Sequence, residues 1–199
     1  MDTAVSTWAL QLPEIKGEGF LIRPFTSEDA PSLASALNDK AVTERLTNIP
    51  YPYEFWDATR WIASTTQVVT MDSTRVNFAI IVDGRVAGSV SFIDLKMQQN
   101  NAQISVWVAR RFWKQGLATK ALESLIAFGF VQMELYRVFA FCVADNEKSQ
   151  KMLTRLGFTQ EGVHRLEWKK EVDGAERRFD SLHFSLLHPE WEERTAACS

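Results

Sequence analysis

Residues 109–130 read Ala-Arg-Arg-Phe-Trp-Lys-Gln-Gly-Leu-Ala-Thr-Lys-Ala-Leu-Glu-Ser-Leu-Ile-Ala-Phe-Gly-Phe, and this stretch decides the fold. An apolar, β-prone run, Ile104–Val108, precedes it. After it, Leu117, Ala118, Ala121, Leu122, Leu125, Ile126 and Phe128 recur at helical spacing. The pattern is strand, loop, helix. A helix N-terminus leaves about four backbone N–H groups unpaired and carries partial positive charge, so acidic or hydroxylated residues usually stand there. Here nothing acidic lies between Arg110 and Leu122. Arg110, Arg111, Lys114 and Lys120 surround Gly116, whose missing side chain lets a ligand reach the backbone, and Ala118 stays small. This composition suits a bound anion; the alternative is a plain turn with a solvated basic rim. Neither G-x-x-x-x-G-K-[ST] nor G-x-G-x-x-G occurs, which leaves a nucleotide-binding regulator the weakest reading.

Outward from the loop, strand-like runs Val76–Val82 and Arg85–Ile93 flank Asp83-Gly84, a hairpin signal, and Ala102–Val108 follows polar turn residues 97–101. Antiparallel pairing is expected there. Arg137–Ala144 follows the long helix and therefore pairs in parallel. Residues 145–156 predict a helix closed by Gly157-Phe158, with Met152, Leu153 and Leu156 inward and Ser149 on the same face; the ordinary alternative for Ser149 is a bond back to the carbonyl four residues earlier. Val163–Val172 and Glu176–Leu187 form a closing hairpin about Asp173-Gly174. Earlier in the chain, Phe20–Phe25 is strand-like, Thr26–Asn38 is a helix with a capping-box start, and Asn48-Ile-Pro-Tyr-Pro-Tyr53 is a stiff aromatic loop. A helix over Glu54–Val69, with Trp56 and Trp61 partly inward, comes next. The expected organisation is an extension (1–18), one domain (19–188) and a polar tail (189–199).

At 199 residues, 46% hydrophobic and 24% charged, the chain fits one domain with a full core. A net charge of −3 argues against duplex nucleic acid as a partner. Two cysteines, one in an apolar strand and one beside the C-terminus, suggest a reducing, cytoplasmic setting, and no stretch has membrane-span character. Cys142, in that strand with no nearby histidine, reads as inert. His164, His183 and His188 share no metal-like spacing, so no metal is expected.

Trp113-Lys114-Gln115-Gly116-Leu117-Ala118 resembles the acyl-CoA pyrophosphate loop, [QR]-x-x-G-x-[GA], of the GNAT superfamily of N-acetyltransferases. It is closest to the branch resembling RimJ and RimL, where W-G-K-G-x-A-T is usual; Trp113, Gly116, Ala118 and Thr119 match, whereas Lys114 replaces a common glycine. Asn146-x-x-Ser149-x-x-x-Leu153-x-x-Leu156-Gly157-Phe158-x-x-Glu161-Gly162 resembles a second signature of that branch. Together the likeness covers roughly residues 19–188. It implies an α/β (α+β) fold with a mixed, mostly antiparallel, splayed sheet of six to seven strands and flanking helices.

The resemblance also implies acetyl-CoA as co-substrate. Its pyrophosphate would lie on Trp113, Lys114, Gln115, Gly116, Leu117, Ala118 and Thr119, and its pantetheine along Val106, Trp107 and Val108, with Asn146 and Ser149 near the sulfur. Tyr51 and Tyr53 would border the amine acceptor, a peptide N-terminus or a small amine, in a monomer or homodimer. The proton acceptor is the open question. Where the branch often has Glu, this chain has Gln103, which cannot take a proton. Glu167 and Asp94 are substitutes, and a water-mediated base is favoured. A catalytically silent acyl-CoA-binding sensor or scaffold is the alternative that Gln103 supports.

Overall fold

A computed structural model describes residues 9–46, 49–172 and 175–197. In chain order its elements are β1 (Ala9–Gln11), β2 (Ile15–Gly17), β3 (Phe20–Pro24), α1 (Ala30–Leu37), α2 (Lys40–Thr43), α3 (Phe55–Ala63), β4 (Val68–Thr70), β5 (Val76–Val82) and β6 (Arg85–Lys96). There follow β7 (Asn101–Val108), α4 (Leu117–Val131), β8 (Arg137–Val143), α5 (Glu147–Arg155), β9 (Thr159–Val172), β10 (Ala175–Leu187) and α6 (His188–Ala196). Eight strands form one sheet in the order β2-β3-β5-β6-β7-β8-β10-β9, and β1 pairs with β4 in a small second sheet. Among the described residues only β7 and β8 run parallel. The mixed, mostly antiparallel class read from the sequence is the one that forms. It exceeds six to seven strands because residues 15–17, read as part of an extension, pair with β3.

Strand side chains alternate between two faces. The first face carries Phe78, Ile80, Phe92, Ile104, Val138 and Ala140 against Leu122, Leu125, Ile126 and Phe128 of α4, with Phe78 and Phe128 edge to face at 5.6 Å. Leu153 and Leu156, and Trp191 of α6, join this layer. The second face carries Ala79, Ile81 and Val86 against Leu33 and Leu37 of α1 and Ala58 and Ile62 of α3. Toward β8, β10 and β9 that face is more open, and Phe139, Phe141, Trp168 and His183 stay half-buried.

Three expectations are corrected. The helix after the aromatic loop ends at Ala63, because the Ser64 and Thr65 hydroxyls donate to the Trp61 and Ile62 carbonyls and the β-branched run beyond becomes β4. Trp56 lies 69% exposed, and only Trp61 turns inward, edge-on to Phe25 at 4.8 Å. The polar tail is helix α6: Pro189 sits in its first turn, Glu190 accepts the Leu187 N–H at 2.9 Å, and Trp191 packs on Phe130 at 5.5 Å. The Asp173-Gly174 turn lies outside the described residues. Among those described, no helix is long and apolar enough to cross a membrane.

Beneath α1, Arg23 donates to both carboxylate oxygens of Asp29 at 2.7 and 2.8 Å, and the Thr26 N–H adds a third bond at 2.8 Å. Burial pushes the Asp29 carboxyl up, but Arg23 and the Thr26 N–H outweigh it and hold it below its ordinary 3.8. Asp29→Asn is therefore expected to lower unfolding free energy by about 3 kcal/mol at neutral pH. A folded-state pKa below the unfolded one gives stability that is present above the unfolded value and lost as pH falls through the folded one. Urea unfolding of both proteins should show a gap at pH 7 that narrows below pH 3.8; a pH-independent gap would contradict this account.

Candidate functional site

β7 is paired to β6 along its length, with register partners from Lys96↔Asn101 to Gly88↔Val108. To β8 it is paired only at Asn101↔Arg137, Ala102↔Val138 and Gln103↔Phe139. Beyond Gln103 the two parallel strands part, leaving a wedge with one edge of β7 unpaired. The Ala109 N–H donates to the Ala87 carbonyl at 2.8 Å, which fixes the alternation of main-chain groups. Those of Trp107 turn to β6, and those of Val106 and Val108 turn to the wedge. An extended ligand bearing amides meets the Val106 main-chain groups and the Val108 N–H there.

The loop at the wide end is held by Trp113, whose indole N–H donates to the Val108 carbonyl at 2.9 Å while the Arg45 guanidinium covers the ring at 4.5 Å. The Trp113 ring packs on the second core, so the side chain anchors the loop. Lys114 (φ 65°) and Gly116 (φ 77°) are left-handed, and an added Cβ at Gly116 would find no atom within 4 Å. Glycine is demanded there by backbone angle, not by crowding. Gly116 accepts the Lys120 N–H at 3.1 Å, so the N–H groups of Leu117, Ala118 and Thr119 open the helix without intrahelical acceptors. No acidic residue occupies this first turn. Lys120 pairs with Glu18 at 2.6 Å, and Arg85, Arg110 and Arg111 line an adjoining pocket of about 460 Å³. The helix start thus offers a cradle of unpaired N–H groups, with three arginines and Asp39 lining the pocket beside it.

β8 ends opposite this loop, which puts the start of α5 on the other lip of the wedge. Asn146 caps α5 by accepting the Ser149 N–H at 3.2 Å, leaving its amide N–H groups free to donate outward. The half-buried Ser149 hydroxyl makes no hydrogen bond among the described residues; the bond back to Asp145 does not form. Both residues lie at the start of α5, just after β8 ends.

Two expected acceptor residues separate. Tyr51 is 55% exposed, whereas Tyr53 is 4% exposed and belongs to the second core, where burial and then Asp57 push its hydroxyl up to about 12. Tyr53 is a core residue and lines no open surface. Sequence reading missed a polar row on the same face: Asn77, Ser91 and Ser105 are register partners across β5, β6 and β7. Ser91 donates to Asn77 Oδ1 at 2.9 Å, and the buried Ser89 donates to the Phe78 carbonyl at 2.8 Å. The available signal was polar residues alternating within otherwise apolar strands.

Glu167 lies on β9, the outermost strand, with β10 and β8 between it and the wedge. Its carboxylate bonds His164 Nδ1 at 2.9 Å and His183 Nε2 at 2.7 Å, and these bonds, with His164 first, hold its pKa down at about 2. Strand order sets it apart from the wedge, and its bonds to the two histidines lower its basicity. Asp94, the other substitute, pairs with Lys96 at 3.2 Å beyond the narrow end of the wedge. Histidines without informative spacing are brought together by strand pairing: the His164 and His183 rings stack at 3.7 Å. Cys142 is buried, which pushes its thiol up and away from nucleophilic use.

Residues 20–159 match the Acetyltransferase (GNAT) domain family. YdaF of Bacillus subtilis, provisionally named a ribosomal N-acetyltransferase, is 32% identical over 124 residues, which are 61% of this chain and 64% of YdaF. The N-acetyltransferase p20 of Bacillus licheniformis, itself uncharacterised, is 29% identical over 176 residues, 87% of this chain and 96% of p20. The solved structure of RimL, a ribosomal L7/L12 alpha-N-protein acetyltransferase in complex with coenzyme A, superposes with a TM-score of 0.77 at 19% identity over 88% of this chain and 98% of that one. That last likeness is one of fold.

Gly116→Ala places a side chain at φ 77°, which costs about 1–2 kcal/mol, and sets a methyl group in the cradle. Isothermal titration should show coenzyme A affinity at least about tenfold weaker (about 1.4 kcal/mol); unchanged affinity would mean that the loop does not hold the ligand.

Proposed function

Because the chain belongs to the GNAT acetyltransferase family, we propose that its wedge holds acetyl-CoA extended along β7 and that an amine on the more open second face attacks the thioester directly. The observation that carries this reading is the combination of a half-unpaired β7 with an acid-free helix start at its end. Pyrophosphate lies on the N–H groups of residues 114–119, and pantetheine pairs with Val106 and Val108.

The amine nitrogen bonds to the acetyl carbon, the carbon–sulfur bond breaks, the amine sheds a proton and the thiolate takes one. A main-chain N–H at Val106 or Val108, already aimed into the wedge, stabilises the tetrahedral oxyanion. No carboxylate stands at Gln103, so the amine proton leaves through water, for which Asn77, Ser91 and Ser105 supply a hydrogen-bonding row on the attack face. Ser149 and the Asn146 amide hold the water that protonates the thiolate, since a serine hydroxyl is itself a poor acid at neutral pH.

The acceptor we favour is a peptide N-terminal amine over a polyamine. A polycation needs free anionic groups, and two carboxylates of this face are already engaged: Glu161 by Ser185 at 2.7 Å and Arg137 at 2.6 Å, Glu167 by two histidines. Phe139, Phe141 and Trp168 offer instead a half-buried aromatic floor for an extended peptide.

Acetyl-CoA or coenzyme A at a hundredfold excess over Kd is expected to add about 2.7 kcal/mol, or roughly 5–11 °C in Tm, with no shift from ATP. Peptides with free N-termini should then be acetylated faster than spermidine. An absent shift overturns the wedge as cofactor site. A full shift without turnover of any peptide or amine leaves a silent acyl-CoA binder.

A further inference from the structure

His164 and Glu167 are three residues apart on β9, and in a regular strand they would face opposite sides of the sheet. The strand is not regular there. Register passes from Ser181↔His164 to Phe179↔Trp168, so β9 spends four residues where β10 spends two. Leu166, at φ 52°, takes up the excess in a left-handed conformation that a branched residue rarely adopts. The bulge is held on both sides: Asp180 Oδ1 accepts the Leu166 N–H at 2.8 Å, and Arg178 donates to the Leu166 carbonyl at 3.2 Å. Its effect is to bring His164 and Glu167 to one face, where His183 of β10 meets them.

The three side chains present two imidazole nitrogens and a carboxylate whose donor atoms all lie within 4.8 Å of one another. Around a tetrahedral Zn²⁺, with bonds of about 2.0–2.2 Å, such donors stand roughly 3.3 Å apart. Reaching that geometry draws the donor atoms together and opens the His164–His183 ring stack, now 3.7 Å between centroids; the more exposed His164 is the one able to swing. His183 is fixed by stacking on Phe141 at 5.5 Å and by contact with Ser181 Oγ at 3.3 Å. We propose that His164, Glu167 and His183 form a binding site for a divalent transition metal, with the ion in the place now taken by the two imidazole–carboxylate hydrogen bonds. Two imidazoles and one carboxylate suit Zn²⁺ or Co²⁺ and leave a fourth position for water. The ion ties β9 to β10 across the bulge, on the open face beside Phe141.

The test uses tag-free, full-length protein and Co²⁺ or Zn²⁺ alone. One equivalent of Co²⁺ should give visible d–d absorption of a four- or five-coordinate ion, discharged by Zn²⁺. By calorimetry, His164→Ala and His183→Ala should each weaken Zn²⁺ binding by at least about tenfold. His188→Ala should leave it unchanged, although His188 lies 3.6 Å from Glu192 in the separate His–carboxylate pair on α6. Circular dichroism reports whether each variant folds; His164, exposed to solvent, is the substitution least able to disturb the core. Absence of the Co²⁺ band, or affinity that follows His188 instead of His164 and His183, overturns the site and leaves the triad a hydrogen-bond network only.

Discussion

The structure depends on one limit: β7 and β8 share only three residue pairs. Parallel strands joined through α4 would ordinarily stay paired to their ends. Here each follows its own half of the sheet, and the twist carries them apart. Unpaired main-chain groups inside a fold are costly unless water or a ligand satisfies them. The wedge edge of β7 therefore joins free hydrogen-bonding groups to access, which an extended amide-bearing cofactor requires. The loop that ends β7 adds charge at the same place without adding a side chain at Gly116.

The two halves of the sheet are built differently. From β3 to β6 the sheet is sandwiched, with α4 on one side and α1 and α3 on the other. Toward β9 helices α4 to α6 pack on the first face, and the second keeps half-buried aromatics and paired charges. The cofactor reading rests on the wedge between these halves, and the acceptor reading on the open half.

What the sequence disclosed was local. Gly116 among cations, the Asp83-Gly84 turn and the Asn146–Ser149 helix start each carry their meaning within a few residues, and each formed. Tyr53 could not be told from Tyr51 by composition, because burial of one and exposure of the other depend on where α1 and α3 meet the sheet. The His164–Glu167–His183 cluster was hidden because a strand bulge changes which residues share a face, and nothing in that segment announces a left-handed Leu166. Helix α6 was legible in Pro189 and Glu190 and was obscured by a polar composition that left Trp191 as its sole large apolar residue. The extra strand at Ile15–Gly17 was invisible for a similar reason: three residues carry too little periodicity to register.

The more open half-face has a consequence for how such a chain diversifies. A change at Phe78 or Leu125 leaves a void or a clash in a filled interior and must be matched by its neighbours. A change at Phe139, Phe141 or Trp168 meets solvent on one side and is felt by the few side chains stacked on these rings, Arg137 and His183 among them. Over generations the proposed acceptor floor can drift by single substitutions while the sandwiched half stays locked. One scaffold thus keeps its chemistry and exchanges its clientele.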